Sequence, residues 1–367
     1  MLATDEPQER YDFLDWLRVI AIFVLFFFHT GMIFVGWGWH IVNEQTLPAL
    51  RWPMDIAHRL RMPLLFVIAG AGMWFALQRR RPGRFLQERT TKLFVPLVAG
   101  MFLVVPPQIY YEHALQGKWN LSLHHLWFIL YLYVYILLLL PAMLWWKRTA
   151  RHVTPGLWLF LLGLPLGINE HFLKPLYPET HNLAGDWYIF IHYLLLTAYG
   201  YLMASTPGVW SWLCRVRRWS LIMGTTVVVL LISGLSNGFI THDSTTDHVG
   251  SNIFTWLWIM VFLGYGYRYL SFVNPLLLWS RDASYPFYIL HQTVIVAIGY
   301  YVVQYAWLPW IKYVVILALS MSACFVLYER CVRRFALLRL AFGMKSQPES
   351  ARLASAFDGR AAREDVQ

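Results

Sequence analysis

The chain of 367 residues has a mean hydropathy of +0.47, with 58% hydrophobic and 14% charged residues, a balance that excludes two soluble domains and belongs to the membrane class. A net charge of +10 does not call for nucleic acid, because the basic residues cluster between apolar runs, where topology and anionic lipid account for them. Cys214, Cys324 and Cys331 stand singly and offer neither a disulfide framework nor a metal motif.

Crossing a bilayer takes roughly 17 to 25 mostly apolar residues. In chain order such runs predict spans at Leu17–Val35, Met62–Leu77, Leu93–Tyr111, Leu126–Trp146, Leu157–Phe172, Trp187–Ala204, Trp219–Phe239, Ile253–Leu270, Tyr285–Tyr305 and Trp310–Tyr328. The expected fold is therefore all-α, a polytopic bundle of about ten helices. The first run follows Asp5, Glu6, Glu9 and Asp12 and lacks a small-residue cleavage site, so it reads as a retained helix rather than a signal peptide. The fifth is short and broken by Gly163, Pro165 and Gly167.

Lys and Arg concentrate in alternate connections, from Arg79–Lys92 through Lys147–Arg151, Arg215–Arg218 and Arg268–Arg281 to the C-terminal segment, which places both termini in the cytoplasm. The opposite connections are richer in acids, histidines and aromatics; Arg51, Arg59, Arg61, Lys118, Lys174 and Lys312 are their few cations. Among them, Asn169–Asp186, with Glu170, His171, Glu179, His181 and Asp186, and Thr241–His248, with His242, Asp243, Asp247 and His248, suit contact with a polar acceptor, although plain solvated outer loops are the commoner reading. Beyond the tenth run, Cys331–Lys345 alternates basic and apolar residues, as an interfacial amphipathic helix does. Residues 1–345 form the expected transmembrane domain, and Ser346–Gln367, polar and rich in small residues, a disordered cytoplasmic tail.

Ionisable residues inside a span are costly and draw attention to function. The first run holds Arg18 and His29. Eleven helical residues turn about 1,100°, some 20° beyond three whole turns, so both project from one face about 16 Å apart along the axis. Asp15 stands one turn before Arg18 as an i,i+3 partner. A neutral imidazole in a low-dielectric cavity suits a general base, and a guanidinium suits a phosphate. Read alone, the pair is equally a snorkelling arginine and a satisfied core histidine. The stretch RRRPGRFLQERTTK at Arg79–Lys92 is dense enough in charge to grip a phosphorylated cofactor, although a bare charge run is more often topogenic. His125, in HHLWFIL, and His291, in SYPFYILHQ, sit in aromatic settings where a hydrogen-bonded structural histidine is the commoner occupant.

Together these residues resemble the acyltransferase family 3 of integral membrane O-acyltransferases, from about Tyr11 to Gly343. Arg18 and His29 match that family's R-x10-H arrangement. Its RxxR motif is similar to RTTK, with Arg89 kept and Lys92 in the second place, and HLWF at His125–Phe128, SYPFYILH at Ser284–His291 and LYERCVR at Leu327–Arg333 look like family landmarks. The first helix with FHTGMIFVGWGWHI, AHRLRMPLLFVIAG and PPQIYY is most similar to the succinyl-transferring branch that decorates periplasmic glucans. The family's Ser-Gly-aromatic motif reads Ala69-Gly70-Ala71 here, which removes a hydroxyl and a ring.

The resemblance implies an inner-membrane enzyme that moves a succinyl or acetyl group from cytoplasmic acyl-CoA to a hydroxyl of a periplasmic carbohydrate, without a metal. His29 would be the general base and Arg18 its catalytic companion along the donor's path. Arg84, Arg89 and Lys92 would hold the donor phosphates. His125, Trp127 or His291 would contact the oxyanion or substrate, and Trp37, Trp39, Tyr110, Tyr111 and Trp119 would offer surfaces for a sugar. A multipass transporter using Arg18 and His29 as a charge relay is the alternative; the missing internal repeat and the basic cytoplasmic connection weigh against it.

Overall fold

The computed structural model describes residues 11–116, 123–149 and 153–344. Trp119, Lys118, Arg151, Lys345, the N-terminal acids Asp5, Glu6 and Glu9 and the expected tail Ser346–Gln367 lie outside the described residues. All regular structure among those described is helical: α1 Asp12–Met32, α2 Arg51–Arg79, α3 Pro82–Arg89, α4 Val95–Leu103, α5 Val105–Gln116, α6 Trp127–Thr149, α7 Gly163–Leu173, α8 Trp187–Ser205, α9 Val209–Ser236, α10 Thr245–Tyr269, α11 Pro275–Val302, α12 Pro309–Leu327 and the short α13 Ala336–Ala341.

Among the described residues, eight helical stretches are long and apolar enough to cross a membrane: α1, α2, α6, α8, α9, α10, the run Pro82–His113 and the run Pro309–Val332. The expected fifth span is the shorter apolar stretch Leu157–Leu173. The expected ninth is α11, 28 residues long with Arg281, Asp282 and His291 in its length. The chain is thus a polytopic helical bundle.

Helix α1 lies at its centre, packed against α2, α10, α11 and α12. Lipid tails are as apolar as leucine, so close packing rather than hydrophobic burial must join helices, and small residues let backbones approach. The tightest crossing joins α2 to α8. A Cβ built on Gly70 would stand 2.0 Å from the Thr197 carbonyl oxygen, and one on Gly200 would stand 2.0 Å from that of Val67. Both obstacles are backbone and cannot swing away. Gly70 of the Ala-Gly-Ala motif is therefore fixed by helix packing.

Prolines bend the third crossing. Pro96 donates no N–H, and its ring would clash with the carbonyl four residues back, at Lys92; a π-helical turn at Thr90–Phe94 absorbs the misfit just ahead of it. Val104, followed by Pro106 and Pro107, separates α4 from α5.

Several boundaries differ from the sequence expectation in one direction: helices begin earlier. Helix α2 starts at Arg51, so Arg51, Arg59 and Arg61 are helical rather than loop residues. Helix α10 starts at Thr245 with Ser244 as its cap, whose hydroxyl accepts from the Asp247 N–H at 3.2 Å. Asp247 and His248, read as loop, are buried in its first turns. Glu170 is likewise buried on α7, held by Lys174 at 2.9 Å and Asn252 at 2.6 Å. Arg215, Arg217 and Arg218 lie on α9. A hydropathy reading stops at the first polar residues, whereas Arg61 lines a cavity and Asp247, His248 and Glu170 are buried in the bundle; Arg51, Arg215 and Arg218 are helical but exposed. After the tenth run, the short α13 packs against α4 with Arg339 buried, while Phe335, Leu337 and Leu340 stay exposed.

Candidate active site

Two cavities lie along α1, and one stripe of that helix serves both. Arg18 and Ile22 line the first, Leu25 and His29 the second. These positions fall at i, i+4, i+7 and i+11, a single face. Tyr288 of α11 lines both cavities and stands where they approach each other.

The first cavity, of about 410 Å³, is basic. Arg18, Arg89, Lys92, Arg281 and Arg339 line it, opposed by Asp282. Arg18 is paired with Asp15 at 3.0 Å, the expected i,i+3 contact, and Asp15 also takes Arg281 at 2.7 Å, which ties α11 to α1. Arg281 bonds Asp12 as well. Gly343 turns the chain after α13 in the left-handed region at φ 69°, bringing Phe342, Gly343 and Met344 to the cavity wall. Arg84 does not share this place. Its side chain is 77% exposed and reaches Glu88 at 3.4 Å, because α3 turns it outward while Arg89 and Lys92 turn in. Arg281 and Arg339 stand there in its stead. Ala69 lines the same cavity, so the hydroxyl that the family's motif would carry is absent from its wall.

The second cavity, of about 970 Å³, is aromatic and rich in histidine. Trp37, Trp39 and Trp127 line it, whereas Tyr110 and Tyr111 pack at a separate aromatic cluster with Tyr300 and Tyr301. At its floor, His29 stacks on Trp39, ring centres 5.7 Å apart and nearly parallel.

Hydrogen bonds fix the state of His29. His291 Nδ1 lies 2.6 Å from the Tyr288 carbonyl oxygen, which can only accept, so His291 carries its proton on Nδ1. Its Nε2 then accepts from His29 Nδ1 at 2.8 Å. The lone pair of neutral His29 is left on Nε2. A base oriented by a second, anchored group is the arrangement nucleophile activation uses. His125 differs: its Nε2–H is spent on the Ile289 carbonyl at 2.7 Å, its Nδ1 is buried without a partner among the described residues, and Tyr288 donates its hydroxyl to the His125 carbonyl. His125 braces the turn His124–Leu126 against α11. In its neutral form it has no N–H left for an oxyanion.

The loop between α7 and α8 closes one side of this cavity with Glu179, Thr180, His181 and Asn182. Its anchor is Asp186, fully buried, which accepts from the His181 N–H at 2.6 Å and the Tyr131 hydroxyl at 3.0 Å. His181 packs 4.2 Å from Trp127 and reaches Glu179 at 2.9 Å. Burial pushes the Glu179 carboxyl up, but the His181 hydrogen bond and the electrostatic influence of the neighbouring His181, His58 and His192 outweigh it and hold the group at about 2.

Among the described residues, His40, Glu112 and His124 bring one donor atom each within 4.8 Å of one another, the spacing of metal ligands. They are also satisfied as a hydrogen-bonded cluster, with His40 at 2.9 Å and Gln108 at 2.8 Å from the same Glu112 oxygen.

Against this geometry, the model of the family described as an acyltransferase domain, acyltransferase 3, matches residues 11–329. The chain belongs to acyltransferase family 3. It is a membrane O-acyltransferase with several apolar helices. The acyltransferase is similar to curated relatives, among them glucans biosynthesis protein C of Salmonella schwarzengrund and of Salmonella paratyphi B, each 22% identical over 92% of this chain and 96% of theirs. No solved structure matches the acyltransferase.

Arg18, Arg89 and Lys92 are together in the basic cavity, and His29, His125 and Trp127 in the aromatic one, with His291 behind His29. Arg281, Arg339 and Arg61 escaped the sequence reading as site residues, whereas Glu179 stands in an outer loop whose acids and histidines suit a polar acceptor. The spacing of Arg339 after LYERCVR was visible, but its inward turn depends on Gly343.

Proposed function

We propose that the enzyme moves an acyl group, succinyl or acetyl, from cytoplasmic acyl-CoA to a hydroxyl of a periplasmic carbohydrate such as an osmoregulated glucan, across the inner membrane. The observation that carries this reading is the pair of chemically opposite cavities approaching each other at Tyr288, with His29 on the helix face they share. Both chain ends are cytoplasmic in this reading. The donor's phosphates lie against Arg89, Lys92, Arg281 and Arg339, and guanidinium forks suit them. The pantetheine arm passes Arg18 toward Tyr288. The acceptor stacks its sugar rings on Trp37, Trp39 and Trp127, while Glu179 and Asn182 accept and donate hydrogen bonds to its hydroxyls.

The hydroxyl proton passes to His29 Nε2 as the oxygen attacks the thioester carbonyl. The tetrahedral intermediate collapses, the C–S bond breaks, and the thiolate takes the proton back from His29. Ester and free CoA thiol result, without a covalent enzyme intermediate. His291 stabilises the transient imidazolium by accepting its Nδ1–H. The glucan as acceptor draws support from the names of the Salmonella relatives, and the donor from the basic cavity. Mass spectrometry of periplasmic glycans from cells with and without the enzyme tests both at once: a mass difference equal to a succinyl or acetyl ester on a glucan is expected, and identical glycans refute the reading.

A further inference from the structure

Arg61 has no role in the transfer as described, yet its position is costly. It sits on α2, three turns inside the helix, and lines the aromatic cavity. Its Nε and Nη1 are buried without a hydrogen-bond partner, and it forms no ion pair among the described residues. Asp55 and Glu179 line the same cavity, but Glu179 is engaged by His181. The guanidinium sits over a ring, its carbon 3.2 Å from the centre of Phe28. Phe28 in turn meets the His29 ring edge-on at 5.3 Å. Arg61 is therefore held beside the base through one intervening side chain, on the same cavity wall.

A guanidinium at this depth with two N–H groups lacking hydrogen-bond partners is stabilised most when an anion comes into direct contact with it. Attack on the thioester at His29 creates one: the carbonyl oxygen gains a full negative charge in the tetrahedral intermediate and loses it again on collapse. Of the groups first considered for that oxygen, neutral His125 has no free N–H and His291 is engaged with His29 and Tyr288. Trp127 lines the cavity and carries a neutral indole N–H. We propose that Arg61 is a catalytic residue of this enzyme, the charged donor to the oxyanion. The proposal rests on the acyl-transfer reading above. A preorganised donor of this kind acts on the transition state and not on substrate binding, and removing one costs about a hundredfold to a thousandfold in kcat.

The test uses the full-length enzyme in detergent or nanodiscs, with succinyl-CoA and acetyl-CoA as separate donors, a β-glucan oligosaccharide as acceptor, and release of free thiol as the signal. Arg61→Met is expected to lower kcat by about a hundredfold or more with either donor that supports turnover, while both KM values stay within about threefold. Guanidinium ion added to Arg61→Ala is expected to restore part of the rate, which also shows that the variant is folded. Arg61→Lys, keeping charge without the planar fork, falls between and is read if the other variants do not fold. A kcat within about threefold of wild type overturns the proposal. So does a loss confined to KM, and so does a loss seen with succinyl-CoA alone, which makes Arg61 a reader of the acyl carboxylate. A wild-type enzyme that releases no thiol, or a His29→Ala variant at full rate, refutes the acyl-transfer reading and Arg61's part in it together. Normal His29 dependence with an indifferent Arg61 refutes Arg61 alone.

Discussion

Removing His291 probes whether His29 works as an oriented base. His291→Ala deletes the 2.8 Å bond to His29 Nδ1 and the 2.6 Å anchor to the Tyr288 carbonyl. In the resting enzyme the bond is neutral, but when His29 takes the substrate proton it becomes charge-assisted. A buried hydrogen bond to a charged group contributes about 1.5 to 3 kcal/mol. At tenfold for each 1.4 kcal/mol, kcat should fall about 10-fold to 150-fold. His29→Ala removes the base itself and should cost more, up to about ten-thousandfold. Because His291 acts only through His29, the double variant should be no slower than His29→Ala alone, a strongly non-additive cycle. The assay is thiol release with saturating acceptor, run beside a thermal transition to confirm folding. Donor KM should hold, since His291 lines neither cavity. A loss below about threefold removes the positioning role. A loss equal to that of His29→Ala makes His291 the base.

Four further outcomes are expected. One alanine inserted after Val24 turns His29 by about 100° relative to Arg18; activity should collapse with normal yield and thermal transition, and full activity would refute the shared-face argument. Arg339→Ala should raise donor KM several-fold while Arg84→Ala leaves it unchanged; the reverse pattern in initial-rate kinetics would return the phosphate site to α3. Gly200→Ala should destabilise the bundle by more than a surface change, because its methyl meets the Val67 carbonyl oxygen, and an unchanged thermal transition would show that α2 and α8 are not so close. Glu179, ionised in the fold down to about 2 against 4.5 when unfolded, adds stability that is whole above pH 4.5 and lost as pH falls toward 2; Glu179→Gln should therefore flatten the decline of the thermal transition over that acid range, and a parallel decline would deny the shift.

Much of the fold was legible because apolar runs of membrane length have few alternatives, and Arg18 and His29 were legible because a helical interval of eleven is nearly whole turns. The errors share a physical cause. A hydropathy reading equates polar with outside and so places the polar first half of α2, with Arg61, in a loop. The role of His291 could not be read at all: 262 residues separate it from His29, and its tautomer follows from a carbonyl that only the fold brings near. Arg84 and Arg89 stand in one basic run, yet the turn of α3 sends one to solvent and the other to the cavity.

Transfer from one side of the membrane to the other is tested most directly in proteoliposomes of uniform enzyme orientation. Acyl-CoA is confined to the side bearing the Arg79–Lys92 segment and a glucan oligosaccharide to the opposite side, and the glucan is then weighed by mass spectrometry. Ester on the glucan is expected in this arrangement, absent in His29→Ala, and absent when the two substrates are exchanged. Ester formed only when both substrates occupy the same side would contradict a route from the basic cavity to His29.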